Sequence, residues 1–190
     1  LSAEVLFIND SPDDADLREA LQEHLLSEQT AVPFEVVVNE RNEGFIRSCN
    51  KGLERCLEEG RDAILLNSDA LVTPGALREI VAAGATDPMI GFVSPRSNNA
   101  TICNAPVQDK YNHAPLDAAI AAHRQLANFL PRITYVPTAV GFCLYIKHMM
   151  LAEFGLLNEI YGKGYNEEND FILRCNRRGF RAALANHAFV

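Results

Sequence analysis

The chain has 190 residues, of which 48% are hydrophobic and 22% are charged. This composition excludes a disordered or fibrous protein and predicts about one globular domain. Its net charge of −8 argues against nonspecific binding to nucleic acid phosphates. No apolar run approaches the roughly 18 residues of a transmembrane helix, so we expect no membrane span in this region.

The cysteines are odd in number, widely spaced and never arranged as C-x-x-C, which argues against a disulfide framework and a zinc site. We therefore expect free, mostly buried thiols, and a cytoplasmic location in which any attachment to a membrane is made by other parts of a longer chain. The cysteines are Cys49, Cys56, Cys103, Cys143 and Cys175.

Strand and helix patterns alternate through the first half of the chain. Short apolar runs closed by turn residues predict strands at Glu4–Asn9, Phe34–Val38 and Asp62–Leu66. Amphipathic periodicity predicts helices at Ala15–Leu26, Asn42–Glu59 and Pro74–Val81. Because this alternation is typical of βαβ units, we predict an α/β fold with a Rossmann-like, mostly parallel central sheet and helices on both faces.

The second half is less regular, although it shows no sign of a second domain. A long polar loop over Pro95–Ala114 is a candidate binding loop or lid because loops of this length are uncommon unless functional or mobile. The other elements are predicted as strands at Ile90–Ser94, Ile133–Val136, Ala139–Lys147 and Arg181–Leu184, and helices at Leu116–Phe129, His148–Phe154 and Glu167–Arg178.

Two polar clusters follow predicted strands directly, where ligands gather in sheets of this kind. Asp69, in the cluster Asn67–Asp69, can hold a divalent cation that bridges phosphate oxygens. The alternative is a turn that caps the helix at Pro74. Asp10 either accepts a hydrogen bond from a nucleobase or caps the helix that begins near Asp14.

Two further clusters lie where a helix is predicted to begin. Arg41 precedes a glycine at a strand-to-helix turn and can meet a phosphate there, or can be an ordinary surface arginine. Glu167, Glu168 and Asp170 lie in the first turn of a later helix. They can simply complement the helix dipole, with Asp170 paired to Arg174, but adjacent glutamates point to different faces, so one can face a pocket.

Taken together and in this order, these clusters resemble the family 2 glycosyltransferases, which have the GT-A nucleotide-diphospho-sugar transferase fold. Asp10 stands where that family has an acidic residue that contacts the base, and Asp69 where its D-x-D element coordinates a metal. Glu168 matches the second acid of its late acidic motif, the usual catalytic base. The remaining matches imply donor contacts by Asn42, Gly44, Asn50, Asn67, Ser68 and Gly141.

The resemblance implies transfer of a sugar, with inversion, from a UDP- or dTDP-sugar to a glycan, lipid-linked or other hydroxyl acceptor, in glycan or cell-surface polysaccharide synthesis. It implies a Mn²⁺ or Mg²⁺ cofactor, a nucleotide-binding half at 1–94 and an acceptor and catalytic half at 95–190. Glu167 and Asp170 would shape the site, and the loop from Asn98 to His113 would lie near the acceptor or the donor.

Two departures from the family pattern bear on these expectations. Asn67 replaces the first acid of D-x-D, so Asp69 is the single anion of that element. The family's opening strand has no counterpart, so we expect this chain to be a piece of a longer protein. Two other functions stay open: a noncatalytic nucleotide-sugar-binding or interaction domain, and a sugar-nucleotide nucleotidyltransferase, which would need a glycine-rich basic loop after its first strand.

Overall fold

The structure is a computed structural model that describes residues 3–26, 32–100, 102–105, 115–162 and 164–190. Ten of the twenty residues of the predicted loop Pro95–Ala114, including His113, lie outside these ranges. Within them the strands are β1 (Val5–Asn9), β2 (Phe34–Val38), β3 (Ala63–Leu66), β4 (Ile90–Arg96), β5 (Ile133–Val136), β6 (Cys143–Ile146) and β7 (Arg181–Phe189). The helices are α1 (Ala15–Leu26), α2 (Phe45–Glu58), α3 (Ala76–Gly84), α4 (Leu116–Ala127), α5 (His148–Phe154) and α6 (Glu167–Asn176), with a 3₁₀ turn at Glu159–Tyr161.

The strands form two sheets. β1 and β2 pair in parallel, and the larger sheet has the strand order β3-β6-β4-β7-β5. In the larger sheet only the β4–β7 pair is parallel, because β5 and β6 run against β3, β4 and β7. The predicted α/β class is confirmed, and the mostly parallel pairing is corrected to a mixed sheet. Apolar runs indicate that strands are buried but not which way they run.

Helices cover both faces of the larger sheet, as predicted. Neighbouring side chains of a strand point to opposite faces, so Phe92 packs with α2, α5 and α6 on one face while Val93 packs with α3 on the other. Ile46 and Phe171 belong to the first buried cluster, and Ile80 belongs to the second. Because apolar side chains cover both faces of the sheet, the polar clusters lie at its edge.

The predicted strand over Ala139–Lys147 is shorter in the structure, where β6 begins at Cys143. The residues before it form a loop held by the buried Ser94 hydroxyl, which donates to the Val140 carbonyl at 3.1 Å and accepts from the Val140 N–H at 3.0 Å. A side chain thus takes the place of a strand partner, and the apolar sequence pattern gives no sign of it.

A buried amide joins α2 to the segment that precedes the 3₁₀ turn. Asn50 donates from Nδ2 to the Leu157 carbonyl at 2.9 Å and accepts from the Leu157 N–H at 3.0 Å. The Asn50 side chain therefore stabilises the packing of α2, and it satisfies two backbone groups that would otherwise be buried without partners.

We expect Asn50→Ala to lower the free energy of unfolding by about 2–4 kcal/mol, because it leaves both Leu157 backbone groups unpaired in the interior. Urea denaturation followed by circular dichroism measures this loss. Asn176→Ala is the matched control, since the Asn176 amide donates one exposed hydrogen bond to the Pro137 carbonyl. Equal losses in the two variants would contradict a special role for Asn50.

Candidate functional site

The ends of β1 and β2 form the first part of the site. The Asn39 N–H donates to the Asn9 carbonyl at 2.9 Å, so the residues that follow the two strands lie side by side. The buried Asn39 amide donates to Asp10 Oδ1 at 2.7 Å and to Ser48 Oγ at 3.0 Å. Lys51 Nζ in turn lies 2.6 Å from Asn39 Oδ1 and 3.0 Å from a Glu43 carboxylate oxygen.

Asp10 binds the start of α2. Its Oδ1 accepts from the Glu43 N–H at 2.8 Å and its Oδ2 from the Gly44 N–H at 2.9 Å. Burial alone would raise the pKa of Asp10, but the hydrogen bonds from Glu43, Asn39 and Gly44 lower it overall. The interpretation of Asp10 as the cap of α1 is wrong, because Asp14 accepts from the Leu17 N–H at 2.9 Å and takes that place.

The other predicted donor residues near α2 divide into two groups. Asn42 donates to the Asp10 carbonyl at 2.9 Å, and Arg41 is exposed beside it, so both lie at the same turn as Asp10 and Gly44. Asn50 lies in the interior, and Leu157 occupies both ends of its amide. Asn39 and Ser48 were not among the predicted site residues, although Asn39, directly after the second predicted strand, was a visible signal.

Asn67–Asp69 leaves β3 in a tight turn, in which the Ala70 N–H donates to the Asn67 carbonyl at 3.1 Å. The turn that the alternative interpretation required is therefore present, but it does not cap α3, whose N-cap is Gly75 without a side-chain hydrogen bond. Ser68 and Asp69 are exposed. The Asp69 carboxylate has no hydrogen bond or ion pair within the described ranges, so it is available to a ligand.

The loop before β6 connects this turn with the acidic motif. The Asn67 N–H donates to the Phe142 carbonyl at 2.8 Å, which places Gly141 beside the Asn67–Asp69 turn. At the other end of the loop, the Thr138 hydroxyl donates to the Asn169 side chain of α6. The structure therefore brings Asp69, Gly141 and the first turn of α6 to one edge of the sheet.

Glu167 and Glu168 carry buried oxygens without partners. Glu167 is 5% exposed, and the Oε2 atoms of both residues have no hydrogen-bond partner among the residues that the structure describes. Burial, together with the neighbouring carboxylate of Glu168, raises the pKa of Glu167. Buried polar atoms are normally hydrogen-bonded, so these two oxygens are candidates for contact with a ligand.

Asp170 has a different environment. Its carboxylate accepts from Arg174 Nε at 3.1 Å, and the Arg174 guanidinium also donates to the backbone carbonyls of Phe154 and Leu156. The predicted Asp170–Arg174 contact is therefore confirmed. It fixes the position of α6 and leaves Glu167 and Glu168 as the acids of this motif that lack such partners.

The acidic motif also lies against the start of α2. A Cβ atom on Gly164 would lie 3.8 Å from the Phe45 ring and 4.0 Å from Glu167 Oε2, and Arg47 pairs with Glu159 at 2.9 Å. Burial, followed by the charge of Glu167, raises the pKa of the Cys49 thiol on α2 to about 12. Because the Asp10 carboxylate binds the same end of α2, the two predicted halves of the site are in contact through this helix.

The side chains present fit a cation that takes most of its ligands from a substrate. Within the described ranges, no group of three or more His, Cys, Asp or Glu side chains could hold a metal ion. Asp69 supplies one exposed carboxylate, with the oxygens of Asn67 and Ser68 nearby in sequence. Mg²⁺ in particular is often bound by one or two carboxylates and substrate phosphates, and this set is sufficient for such a site.

Comparison with known proteins gives a family and a fold. Residues 1–142, about three quarters of the chain, match the model of the family described as glycosyl transferase family 2. A curated relative, the 2,3-bisphosphoglycerate-independent phosphoglycerate mutase of Cronobacter sakazakii, is 34% identical over 83 residues, which cover 43% of this chain and 16% of that protein. Because the match covers so small a share of the mutase, it gives no information on whether this chain has the activity of the mutase.

Solved structures agree with the family match. A crystal structure of GalNAc-T7 with UDP, GalNAc and Mn²⁺ has a TM-score of 0.71 and 16% identity over 98% of this chain. The mannosyltransferase PcManGT from Pyrobaculum calidifontis, in complex with GDP-Man and Mn²⁺, has a TM-score of 0.61 and 15% identity over 94% of this chain. The chain spans only 37% and 44% of those two chains. At these identities the similarity shows the GT-A fold.

Other sequence-based expectations can be compared with the described residues. The five cysteines are free, three of them buried and two half-buried, as predicted. In the described residues, no helix is long and apolar enough to cross a membrane.

We expect Asp10→Asn to destabilise the protein at pH 7 by about 1–3 kcal/mol, because an amide cannot accept from all three donors, and partial exposure favours the lower part of that range. Because the pKa of Asp10 is lowered in the folded protein, its ionised carboxylate contributes stability above pH 3.8, the usual carboxyl value. This stability is lost as the pH falls through the folded-state pKa. Thermal unfolding between pH 2 and pH 7 tests this, with exposed Asp13→Asn as the control. A loss that does not shrink in acid would contradict the assignment.

We expect Glu167→Gln to stabilise the protein at pH 7, whereas Asp10→Asn destabilises it. A raised pKa means that the stability contributed by protonated Glu167 is present below pH 4.5, the usual value, and is lost as the pH rises through the folded-state value. At pH 7 we expect the neutral variant to be more stable than the wild type by about 1 kcal/mol or more, and the gap to close in acid. Chemical denaturation at pH 4 and pH 7 measures it, with exposed Glu54→Gln as the control. A destabilised Glu167→Gln protein at pH 7 would show that Glu167 is ionised and paired.

Proposed function

Because the chain belongs to glycosyl transferase family 2, we propose that it transfers a sugar from a nucleoside-diphosphate sugar to an acceptor hydroxyl, with inversion at the anomeric carbon. The observation that carries this proposal is the pair of buried, unpartnered carboxylate oxygens on Glu167 and Glu168 beside the Gly141 loop. A carboxylate in that position can accept the proton of a sugar hydroxyl. A site that only bound a nucleotide would not need a proton acceptor at this position.

We assign the nucleotide of the donor to the edge formed by residues 1–94, with the acceptor and catalytic groups in 95–190. Asp10 accepts three hydrogen bonds, and a carboxylate has about four lone-pair sites, so one remains for a base N–H. Arg41 and Asn42 border the same turn, where Gly44 lets a ligand approach the backbone, and Ser68 and Gly141 lie on the diphosphate and sugar side. We leave Asn50 out of this set because Leu157 occupies its amide.

Asp69, with Asn67 beside it, would hold a divalent cation, Mn²⁺ or Mg²⁺, together with the donor diphosphate. When bound, the cation would offset the negative charge that develops on the departing diphosphate. The exposed turn at Asn67–Asp69 gives the Asp69 carboxylate no internal partner that would compete for it. The two solved structures described above were determined with Mn²⁺ and with UDP or GDP-mannose, which supports this class of donor.

Glu168 takes the part of the general base in this proposal. Its carboxylate would accept the proton of the acceptor hydroxyl while the oxygen attacks the anomeric carbon, and a correctly placed base contributes about a hundred- to ten-thousand-fold in rate. Glu167 lies beside Glu168 and would shape the site, and Asp170 would act through Arg174 on the position of α6. A single displacement inverts the configuration. Synthesis of a glycan or cell-surface polysaccharide, with the enzyme in the cytoplasm, is the setting that we propose.

Calorimetric titration with UDP, dTDP and GDP, each with and without Mn²⁺, tests the donor site. We expect binding of at least one diphosphate to require Mn²⁺ and to weaken at least tenfold in Asp69→Ala, because a cation with one protein carboxylate loses its charged anchor. Asp13→Ala, an exposed acid in the first turn cluster, is the control. Binding that ignores both metal and Asp69 would contradict the proposed donor site.

Glu168→Gln separates an enzyme from a noncatalytic binding domain. We expect the variant to keep the affinity of the wild type for the donor and to lose at least a hundredfold in the rate of sugar transfer to a panel of aryl glycosides, followed by mass spectrometry. The inverting mechanism is checked by the anomeric configuration of the product. Donor binding without transfer in the wild type would favour the noncatalytic alternative.

A further inference from the structure

A cavity of about 570 Å³ lies at the carboxyl end of β7, between the start of α3 and helix α4. None of the residues proposed above to bind the donor or to take part in catalysis lines it. Its volume is within the range of small-molecule sites. The lining residues used below are Gly75, His123, Arg124, Leu130, His187 and Phe189.

The lining of this cavity is cationic or neutral although the chain as a whole carries a charge of −8. Arg124 and two histidines line it, and no aspartate or glutamate is among the described residues of its lining. Arg124 has no carboxylate within 4.0 Å among the described residues. The start of α3, at Gly75 and Ala76, lines the same end, where the helix dipole carries partial positive charge. A negative group is therefore favoured inside the cavity.

His123 is the rigid polar group of the cavity. It is 4% exposed, its ring stacks on Phe189 at a centroid distance of 4.8 Å, and its Nε2 lies 2.9 Å from the Asn186 carbonyl. Asn186 is itself fixed by Arg96, which donates twice to Asn186 Oδ1, and by its own bonds to Pro131 and Thr134. The ring is thus held in place by a connected set of hydrogen bonds.

The contact with Asn186 determines what His123 can recognise. A carbonyl oxygen only accepts, so Nε2 carries the hydrogen and Nδ1 is left as an acceptor. Burial, the main cause, lowers the pKa of His123 and keeps the ring neutral. No hydrogen bond to Nδ1 exists among the described residues. A neutral ring acceptor in a cavity is suited to a hydroxyl group.

The cavity and the Asp69 turn lie along one edge of the sheet. After β3 the chain runs past the start of β6, where the Asn67 N–H donates to the Phe142 carbonyl. It then reaches the end of β7, where the Thr73 hydroxyl donates to the Phe189 carbonyl at 2.6 Å. Thr73 is four positions after Asp69 in the chain, so the rim of the cavity is at most about 14 Å from Asp69. A short oligosaccharide can lie across both.

We propose that this cavity binds a hydroxylated anion, namely a sugar that carries a phosphate or a carboxylate group. Arg124 binds the oxyanion near the positive end of the α3 dipole, His123 Nδ1 accepts from a hydroxyl, and the apolar side chains of Leu130 and Phe189 contact the face of the sugar ring. That the sugar belongs to the acceptor rests on the proposed function, whereas the binding itself does not.

Titrations of the protein at pH 7 without nucleotide or divalent metal test the binding, by NMR and calorimetry with glucose 6-phosphate, glucuronate, inorganic phosphate and neutral glucose. We expect one or both of the charged sugars to bind more tightly than glucose and more tightly than inorganic phosphate. The phosphate and carboxylate sugars compared with each other identify the preferred oxyanion. Equal binding of all four compounds, or preference for inorganic phosphate, would overturn the proposal.

Arg124→Gln should raise the Kd of the preferred charged sugar at least tenfold, because a charge-assisted hydrogen bond is lost. Arg177→Gln, an exposed arginine beyond the end of α6, is the control and should leave the Kd unchanged. His123→Gln should weaken binding of the sugars more than that of inorganic phosphate, with circular dichroism to establish that the variant folds. Equal effects of Arg124→Gln and Arg177→Gln would exclude the cavity as the site.

Asp69→Ala distinguishes this proposal from the proposed function. The variant should bind the charged sugar as the wild type does, even where it has lost the nucleotide. Loss of sugar binding in Asp69→Ala would place the anion in the donor site and overturn the inference about the cavity. Failure of the donor titration together with intact sugar binding would instead refute only the glycosyltransferase proposal.

Discussion

The Asp10 carboxylate is the contact on which the rest of the site depends. It joins the carboxyl ends of β1 and β2, through Asn39, to the backbone at the start of α2. The same end of α2 contacts the loop before α6, so the position of Glu167 follows from the position of this helix. Among the described residues, the smaller sheet shares no strand pairing with the larger one, and α2 contacts both β1 and the core of the larger sheet. The position of α2 therefore fixes how the two sheets lie relative to each other.

This arrangement constrains what Asp10 can do for a ligand. Three of its about four lone-pair sites are used internally, so a bound base can gain one hydrogen bond from it. In exchange, the carboxylate is held in place before any ligand arrives, and little side-chain entropy is lost on binding. In the proposed donor site the same carboxylate would support the fold and contact the base, which would couple the stability of α2 to nucleotide binding.

The sequence permitted prediction of features that depend on neighbouring residues. The leucine spacing of α1 and the polar clusters after β1 and β3 were visible in the printed chain, and the structure has them at those places. The partners of Asp10 were not visible, because Glu43 and Gly44 lie 33 and 34 positions away and the nearer helix start at Asp14 competed as an interpretation. The reversed direction of β5 and β6 and the hydrogen bonds that hold His123 likewise depend on contacts between distant segments.

Glu167 and Glu168, whose Oε2 atoms have no partner among the described residues, show why such distant contacts matter for chemistry. In sequence, Glu167 and Glu168 complement a helix dipole as exposed acids would. Packing of Gly164 and Cys49 against Glu167 removes water from it, which makes a second negative charge beside Glu168 costly. Glu168, on the same turn of α6, is only half-buried, so water is removed less completely from its side chain. The burial of Glu167 by α2 thus distinguishes two acids that look equivalent in the sequence.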